Sequence, residues 1–147
     1  MAISVSDSRL HQSVDALTGK SVLQQEDKAL IFSSPVIAGD VVLFGITNGT
    51  LQARDRTSGK VLWEFQTEAS KQNLGWVLTV DRHFNNSLLY RIQWQEPTVV
   101  ATTRMQGVGS FFSTPLVGDG VVYVGSSDGS TRSSSRAARA YRRFAGP

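Results

Sequence analysis

The sequence repeats itself at a fixed spacing, and this repetition restricts the possible folds more than any other feature. The segment 53–63, ARDRTSGKVLW, has an ungapped counterpart forty residues earlier in 13–23, SVDALTGKSVL. A second segment, 32–49, returns eighty residues later as 112–129. Because eighty is twice forty, both segments fit one repeat of about 40 residues, which is typical of arrays of stacked structural units.

One repeat carries four strand signals. In the central copy they lie at 29–32, 36–37, 41–45 and 51–53, with turn residues between them. Asn48-Gly49 is the strongest hairpin signal in the chain, and Asp128-Gly129 occupies the same place in the later copy. Four short strands in about 40 residues are typical of one blade of a β-propeller. We therefore predict an all-β chain of four-stranded antiparallel blades.

The length of the chain indicates an incomplete propeller. Closed rings have about 4 to 8 blades, whereas 147 residues at a spacing of forty hold fewer than four repeats. We predict a partial propeller over 1–130, with repeat segments at 13–65 and 111–130. The stretch 66–110 is either a degenerate blade or an insertion; its runs 76–80, 88–94 and 98–103 are strand-like. Because its terminal faces and edges are not shielded, we expect such a chain to be unstable alone.

The positive charge of the chain is concentrated near its end. The formal net charge is +3, but five arginines follow residue 130: Arg132, Arg136, Arg139, Arg142 and Arg143. The rest of the chain has 10 basic against 12 acidic residues and therefore no basic stripe for phosphates. We predict no specific nucleic-acid partner and a disordered Ser/Arg/Ala-rich tail over 131–147.

Three further features bound the function. The chain has no cysteine, which excludes disulfides, cysteine-ligated zinc and thiol catalysis. No basic segment followed by 7 to 15 apolar residues stands near the N-terminus, so we expect no signal peptide. No run approaches the 18 or so apolar residues of a membrane span, and we expect a soluble chain.

Seven residues define the repeat motif. Aspartate bonds backbone amides ahead of it in a turn, and glycine closes such a turn with a positive φ. Proline removes a ladder donor and belongs at a strand start, an edge or a bulge. The motif residues are Asp15, Gly19, Asp55, Gly59, Trp63, Pro35 and Pro115.

The phrase Ala53-x-Asp55-x-x-Ser58-Gly59-Lys60-x-x-Trp63 resembles the PQQ-like (quinoprotein-type) β-propeller repeat. The resemblance implies that Trp63 packs against a neighbouring blade and that the turn holds it there. The first copy departs from the family by Ser13 in place of alanine and Leu23 in place of tryptophan, which implies a weaker blade junction. The family includes quinoprotein dehydrogenases, an outer-membrane assembly scaffold lipoprotein and accessory domains of enzymes such as metallophosphoesterases. It suggests the cell envelope or periplasm, while the location of this chain stays open.

The resemblance leaves several functions open. We favour a non-catalytic scaffold or protein-interaction module, or a fragment of a larger repeat protein, whose partner is another protein or the remaining blades. The alternatives are a fragment of a PQQ-dependent dehydrogenase and the accessory propeller of a metallophosphoesterase-type enzyme. A dehydrogenase needs a ring of about eight blades, a vicinal cysteine pair and calcium ligands. We therefore predict no catalytic, cofactor-binding or metal-binding residues here, and PQQ and calcium only within a larger dehydrogenase.

Four aspartates are candidate calcium ligands, because that ion takes carboxylate oxygens: Asp40, Asp55, Asp119 and Asp128. All four stand at turns of the repeat, where local backbone hydrogen bonds explain an aspartate. We favour this structural interpretation.

The imidazoles and serines give no catalytic pattern. His11 and His83 are the only histidines, and neither has a metal-ligand spacing. Ser33 and Ser113 belong to the repeat segment, so a hydrolytic triad on them has no support. The tract 81–84, Asp-Arg-His-Phe, is chemically varied, and we interpret it as a polar loop.

The aromatic side chains of Trp76, Tyr90 and Trp94 are candidates for a peptide- or sugar-binding groove. Core packing of large aromatic rings is the alternative, and we favour it.

Overall fold

The computed structural model describes residues 2–5, 10–95, 107–118 and 121–128. The strands in these residues are β1 (Ala2–Val5), β2 (Leu10–Val14), β3 (Ser21–Glu26), β4 (Val36–Ala38), β5 (Val41–Ile46), β6 (Thr50–Asp55), β7 (Val61–Gln66), β8 (Leu116–Gly118) and β9 (Val121–Tyr123). Two short helices, α1 (Glu68–Gln72) and α2 (Asn86–Gln95), lie between β7 and β8. The predicted tail, 131–147, lies outside the described residues.

The strands form three antiparallel sheets, which we call blades. Blade I is β1-β2-β3, blade II is β4-β5-β6-β7 and blade III is β8-β9. His11 pairs with Gln25 in blade I as Leu51 pairs with Phe65 in blade II. A register irregularity also recurs, after Ser13 in blade I and forty residues later after Ala53. The sequence repeat is therefore a structural repeat.

Blade II begins later in the chain than the sequence indicates. The predicted first strand, 29–32, is not a strand, and β7 supplies the fourth strand instead. Thr47 donates hydrogen bonds from its backbone N (3.0 Å) and its Oγ1 (2.9 Å) to the Leu30 carbonyl oxygen. The inward side chains of 29–32 are buried in one cluster with Phe44. This apolar run therefore covers a face of blade II instead of extending a sheet.

Side chains of blade II alternate between two covered faces. One face packs against blade III in a cluster of buried residues: Leu43, Leu51, Ala53, Phe111, Val122 and Val124. The opposite face, toward blade I, carries a second cluster: Ala29, Ile31, Val42, Phe44 and Ile46. A Cβ on Gly45 would lie 2.3 Å from the Cβ of Phe111, so glycine is required where the chain of the next blade approaches.

In the stretch 66–110, which we call the helical stretch, one run predicted to be strand-like is a helix and another forms turns. Residues 88–94 lie in α2, and 76–80 takes part only in isolated bridges at Leu78; 98–103 lies outside the described residues. Asn85 Oδ1 accepts a hydrogen bond from the backbone N of Leu88 (3.2 Å) at the start of α2. Leu88 and Ile92, four residues apart, are both buried. This cap and spacing favour a helix over the strand suggested by composition.

Both ends of this helical stretch are bound to the turn between β5 and β6. Ser70 Oγ donates to the Asn48 carbonyl oxygen (2.6 Å), and Ser110 Oγ donates to the Thr47 carbonyl oxygen. Thr67 Oγ1 donates to the Val108 carbonyl oxygen (3.0 Å) and so joins the two ends. Blades II and III are therefore neighbours in space, although 67–115 separates them in the chain.

Candidate functional site

The repeat turns have the same geometry in blades I and II. Asp15 Oδ1 accepts hydrogen bonds from the backbone N of Leu17 (3.1 Å) and Thr18 (2.8 Å) and from the Thr18 hydroxyl (2.8 Å). Asp55 Oδ1 accepts the matching hydrogen bonds from the backbone N of Thr57 (3.1 Å) and Ser58 (2.7 Å) and from the Ser58 hydroxyl (2.7 Å). Gly19 and Gly59 close the turns with φ of 68° and 70°. The aspartates are thus engaged by their own turns.

These hydrogen bonds lower the pKa of both carboxyl groups. For Asp15 the largest cause is the Thr18 hydroxyl, and for Asp55 it is the backbone N–H of Ser58. Each donor stabilises the ionised carboxylate. The turns are therefore held best when the aspartates are charged.

We predict that these turns make the protein sensitive to acid. Because both pKa values are lowered, the stabilisation is present above the unfolded-state value of about 3.9 and is lost as the pH falls through the folded-state values. We expect the variant Asp15→Asn/Asp55→Asn to show a flatter pH dependence of stability below about pH 4 than the natural chain. Urea unfolding at a series of pH values measures this, with Asp40→Asn as the matched control. Identical slopes for the natural chain and the double variant would contradict the prediction.

Pro35 and Pro115 directly precede β4 and β8, the first strands of blades II and III. The serine two residues before each proline bonds a glycine, which lies in β5 in blade II and two residues after β9 in blade III. Ser33 Oγ accepts from the Gly45 N–H (2.7 Å) and donates to the Gly45 carbonyl oxygen (3.0 Å). Ser113 Oγ makes the same pair with Gly125, at 3.0 and 2.9 Å. These hydroxyls therefore satisfy backbone groups, and within the described residues neither is hydrogen-bonded to a general base that could activate it as a nucleophile.

The two serines provide a matched test of burial. Ser33 is buried and Ser113 is exposed. We expect Ser33→Ala to lower the free energy of unfolding by about 1–3 kcal/mol, because it leaves the Gly45 N–H buried without its partner. Ser113→Ala should cost well under about 1 kcal/mol, since water replaces the hydroxyl. Chemical denaturation of both variants measures the two losses of unfolding free energy. Equal losses would contradict the bridging role of Ser33.

Trp63 is partly buried and packs against the apolar cluster between blades II and III. It pairs across the strands with Ala53, as Leu23 pairs with Ser13 in blade I. A small cavity opens at the corresponding place beside blade I, lined in part by Ser13, Leu23 and Phe44. The smaller side chain at Leu23 thus lies beside a cavity at the junction of blades I and II.

A buried polar group at the junction of blades I and II was not predicted from the sequence. We call it the Arg54 cluster: Arg54, Asp27, His11, Gln25 and Gln52. Arg54 Nη2 donates to Asp27 Oδ1, and His11 Nδ1 lies 2.7 Å from Asp27 Oδ2. The Arg54 guanidinium also lies 5.4 Å from the centre of the Phe44 ring. No motif spacing points to this group, and only the fold brings its members together.

Every nitrogen of the Arg54 guanidinium contacts a polar atom within the Arg54 cluster. Nε and Nη2 donate to Gln52 Oε1 at 2.9 and 2.7 Å, Nη2 also donates to Asp27, and Nη1 lies near Gln25 Oε1 and 3.3 Å from His11 Nε2. Burial lowers the pKa of Arg54, while the charges of Asp27 and Glu64 oppose this effect. The contacts of the guanidinium are therefore made within blades I and II, and they occupy the nitrogens that would otherwise bind an anion.

The remaining polar candidates lie apart from one another. Arg82 donates to Glu64 (2.6 Å) and so links 81–84 to blade II, while His83 shares backbone hydrogen bonds with Thr79. Asp40 faces Arg56 (3.3 Å) and Asp128 accepts from Ser126 (2.5 Å). Asp119 lies outside the described residues. Within those residues, no three His, Cys, Asp or Glu side chains are grouped as metal ligands.

The prediction that Trp76, Tyr90 and Trp94 pack in the core was wrong. Their exposed fractions are 51%, 62% and 75%. Leu88 and Ile92 occupy the buried side of α2, which leaves Tyr90 and Trp94 on the outer side, with ring centres 5.9 Å apart. Tyr90 and Trp94 therefore form an exposed aromatic pair on α2.

The chain matches the protein-family model described as outer membrane protein assembly factor BamB over residues 2–83, more than half of its length. No match is found among curated proteins. None of the described helices is long and apolar enough to cross a membrane.

Three solved structures resemble this chain, and the two with TM-scores above 0.5 share its fold. BamB from Moraxella catarrhalis is 16% identical with a TM-score of 0.53, and the match covers 86% of this chain and 27% of that one. The computationally designed Ika8 protein is 12% identical with a TM-score of 0.51 and the same coverage, 86% and 27%. A europium-containing methanol dehydrogenase is 22% identical with a TM-score of 0.43, over 78% of this chain and 14% of that one. The chain therefore spans about a quarter of the length of the first two.

Proposed function

The chain belongs to the PQQ-like repeat family whose model is described as outer membrane protein assembly factor BamB, and we propose that it is a non-catalytic scaffold or protein-interaction module. The predicted fold class is confirmed: antiparallel blades of about 40 residues form part of a β-propeller and resemble BamB of Moraxella catarrhalis. The family is described as an outer membrane protein assembly factor, which supports a role in protein contacts.

The proposal rests on the outer face of blade III, which carries Leu116 and Tyr123. Tyr123 stands eighty residues after Leu43, which is fully buried between blades II and III. Tyr123 itself is 38% exposed, and its cross-strand partner Leu116 is 67% exposed. The repeat therefore presents to solvent a surface that is covered one blade earlier. Apolar area is stabilised by burial at about 25 cal/mol per Å², so a protein surface is the expected partner, either a further blade or another protein.

The polar residues of the repeat support a structural rather than a catalytic role. Asp15 and Asp55 bind their own turns, Ser33 and Ser113 bind backbone groups, and His11 belongs to the Arg54 cluster. We accordingly propose that this chain alone binds neither PQQ nor calcium. Equilibrium dialysis against PQQ with calcium tests this, and tight, saturable binding would favour the dehydrogenase fragment instead.

We expect the natural chain to associate as its concentration rises, because the blade III face is uncovered. Leu116→Glu/Tyr123→Glu places charges on this face and should keep the chain monomeric with a nearly unchanged melting temperature. Light scattering over a range of concentrations, combined with thermal melts, measures both properties. The control Ser34→Glu/Thr114→Glu adds the same charge at exposed polar positions. A compact natural monomer at all concentrations, or equal effects of both double variants, would contradict the proposal.

A further inference from the structure

The two blade junctions use equivalent positions with opposite chemistry. In blade I, the residues that face blade II include His11, Gln25 and Asp27. Forty residues later, on the side of blade II toward blade III, the same positions hold Leu51, Phe65 and Thr67. The pairings His11 with Gln25 and Leu51 with Phe65 confirm that the first two positions correspond. At the matched sites one junction therefore has a polar set of His, Gln and Asp, whereas the other has two apolar residues and a threonine, which we call the apolar set.

Only the polar set satisfies Arg54. Asp27 supplies the opposite charge, Gln25 supplies an amide oxygen and His11 supplies a ring nitrogen. The apolar set offers no carboxylate and no amide at these positions. If a blade with the apolar set were packed against this face, the buried guanidinium would lose its counter-charge, and an unpaired buried charge is strongly unfavourable.

We propose that the Arg54 cluster is a recognition element that determines which blade packs on this face of blade II. It accepts a blade with acceptors at the positions of His11, Gln25 and Asp27. It rejects blades with the apolar set, such as blade II of a second copy of this chain. Blades of one repeat family share similar surfaces and are prone to misassembly. A buried polar contact that the wrong partner leaves unsatisfied discriminates against such pairing.

This proposal separates specificity from stability. Well-packed apolar residues often replace a buried ion pair with little loss of stability, or with a gain. Arg54 therefore serves recognition if an apolar junction folds as well as the natural one but no longer selects its partner. The blade I side can be given the residues that blade II uses, by His11→Leu, Gln25→Phe and Asp27→Thr, while Arg54→Met removes the cation.

The test uses the full chain with these four substitutions together. We expect the melting temperature to stay within about 5 °C of the natural value. With rising protein concentration, amide exchange in β2 and β3 should become about tenfold faster, because other copies compete with blade I for the face of blade II. In the natural chain this exchange should not change with concentration. Hydrogen-exchange mass spectrometry at two concentrations measures the difference.

The control variant is Asp40→Leu/Arg56→Met, which removes an Asp–Arg pair at 3.3 Å whose aspartate side chain is largely exposed. It should leave the exchange of β2 and β3 independent of concentration. If the fourfold variant behaves like this control, the Arg54 cluster does not select the partner. If the fourfold variant is unfolded at every concentration, the cluster is required for stability, and the proposal is equally overturned. Association of the natural chain through blade III is a separate result, because it leaves exchange in blade I unchanged.

Discussion

Replacing Asp27 by alanine is expected to lower the free energy of unfolding by about 3–5 kcal/mol, because it leaves a buried cation without its partner. The side chains of Asp27 and Arg54 are only 3% and 10% exposed, so water cannot replace the lost carboxylate. His11 loses its 2.7 Å contact in the same change. A loss of this size is a large share of the 5–15 kcal/mol that stabilises a typical domain.

Chemical denaturation of Asp27→Ala, with Asp40→Ala as the control, measures this effect. Asp40 also faces an arginine, but its side chain is 87% exposed, and exposed pairs contribute about 0–1 kcal/mol. The comparison therefore holds the residue types constant and varies burial. A loss below about 1 kcal/mol for both variants would show that the Arg54 cluster is solvated in solution.

The sequence predicted those parts of the fold that depend on local chemistry and repetition. Asp55 and Gly59 specify a turn through bonds within five residues, and the same phrase around Asp15 specifies it again. Strand β5 is a continuous apolar run, as expected of a strand buried on both faces. These signals lie within a few residues of one another and can be identified without knowledge of the neighbouring blades.

The sequence-based predictions failed where tertiary contacts determine the secondary structure. The run 29–32 has a strand-like composition, but its carbonyl at Leu30 is bound by Thr47 and its side chains cover a neighbouring sheet. Residues 88–94 are also apolar enough for a strand, and the Asn85 cap with the Leu88 and Ile92 spacing makes them a helix. Composition alone does not distinguish these cases, because a short apolar run suits either structure.

The Arg54 cluster shows why part of the candidate site could not be predicted. Its members are separated by up to 43 positions, and each is unremarkable in its own segment. From the sequence, His11 suggests only a metal ligand or a catalytic base. In the fold its partners are Arg54 in β6 and Asp27, which directly follows β3. The repeat nevertheless contains a signal: His11 and Gln25 of blade I stand where blade II has Leu51 and Phe65.

Trp63→Ala is expected to lower the free energy of unfolding by about 3 kcal/mol, near the lower end of the range for buried aromatic residues. The lower value applies because Trp63 is only partly buried where it packs against the cluster between blades II and III. That corresponds to a fall in melting temperature of roughly 10 °C for a domain of this size. Trp76→Ala is the matched control, since Trp76 is half exposed on the helical stretch and its loss should change stability by less than about 0.5 kcal/mol.

A ligand-binding role for Trp63 makes the opposite prediction, because a side chain held for a ligand can be removed with little change in the melting of the free protein. Paired thermal melts of Trp63→Ala and Trp76→Ala therefore distinguish the two roles directly. Blade docking predicts a large loss for the first variant alone, since the indole contributes to the same apolar cluster as Leu51 and Val122. Equal melting temperatures for the two variants would show that the blade II and blade III junction does not depend on the repeat tryptophan, and the docking role that the repeat implies for Trp63 would then be wrong.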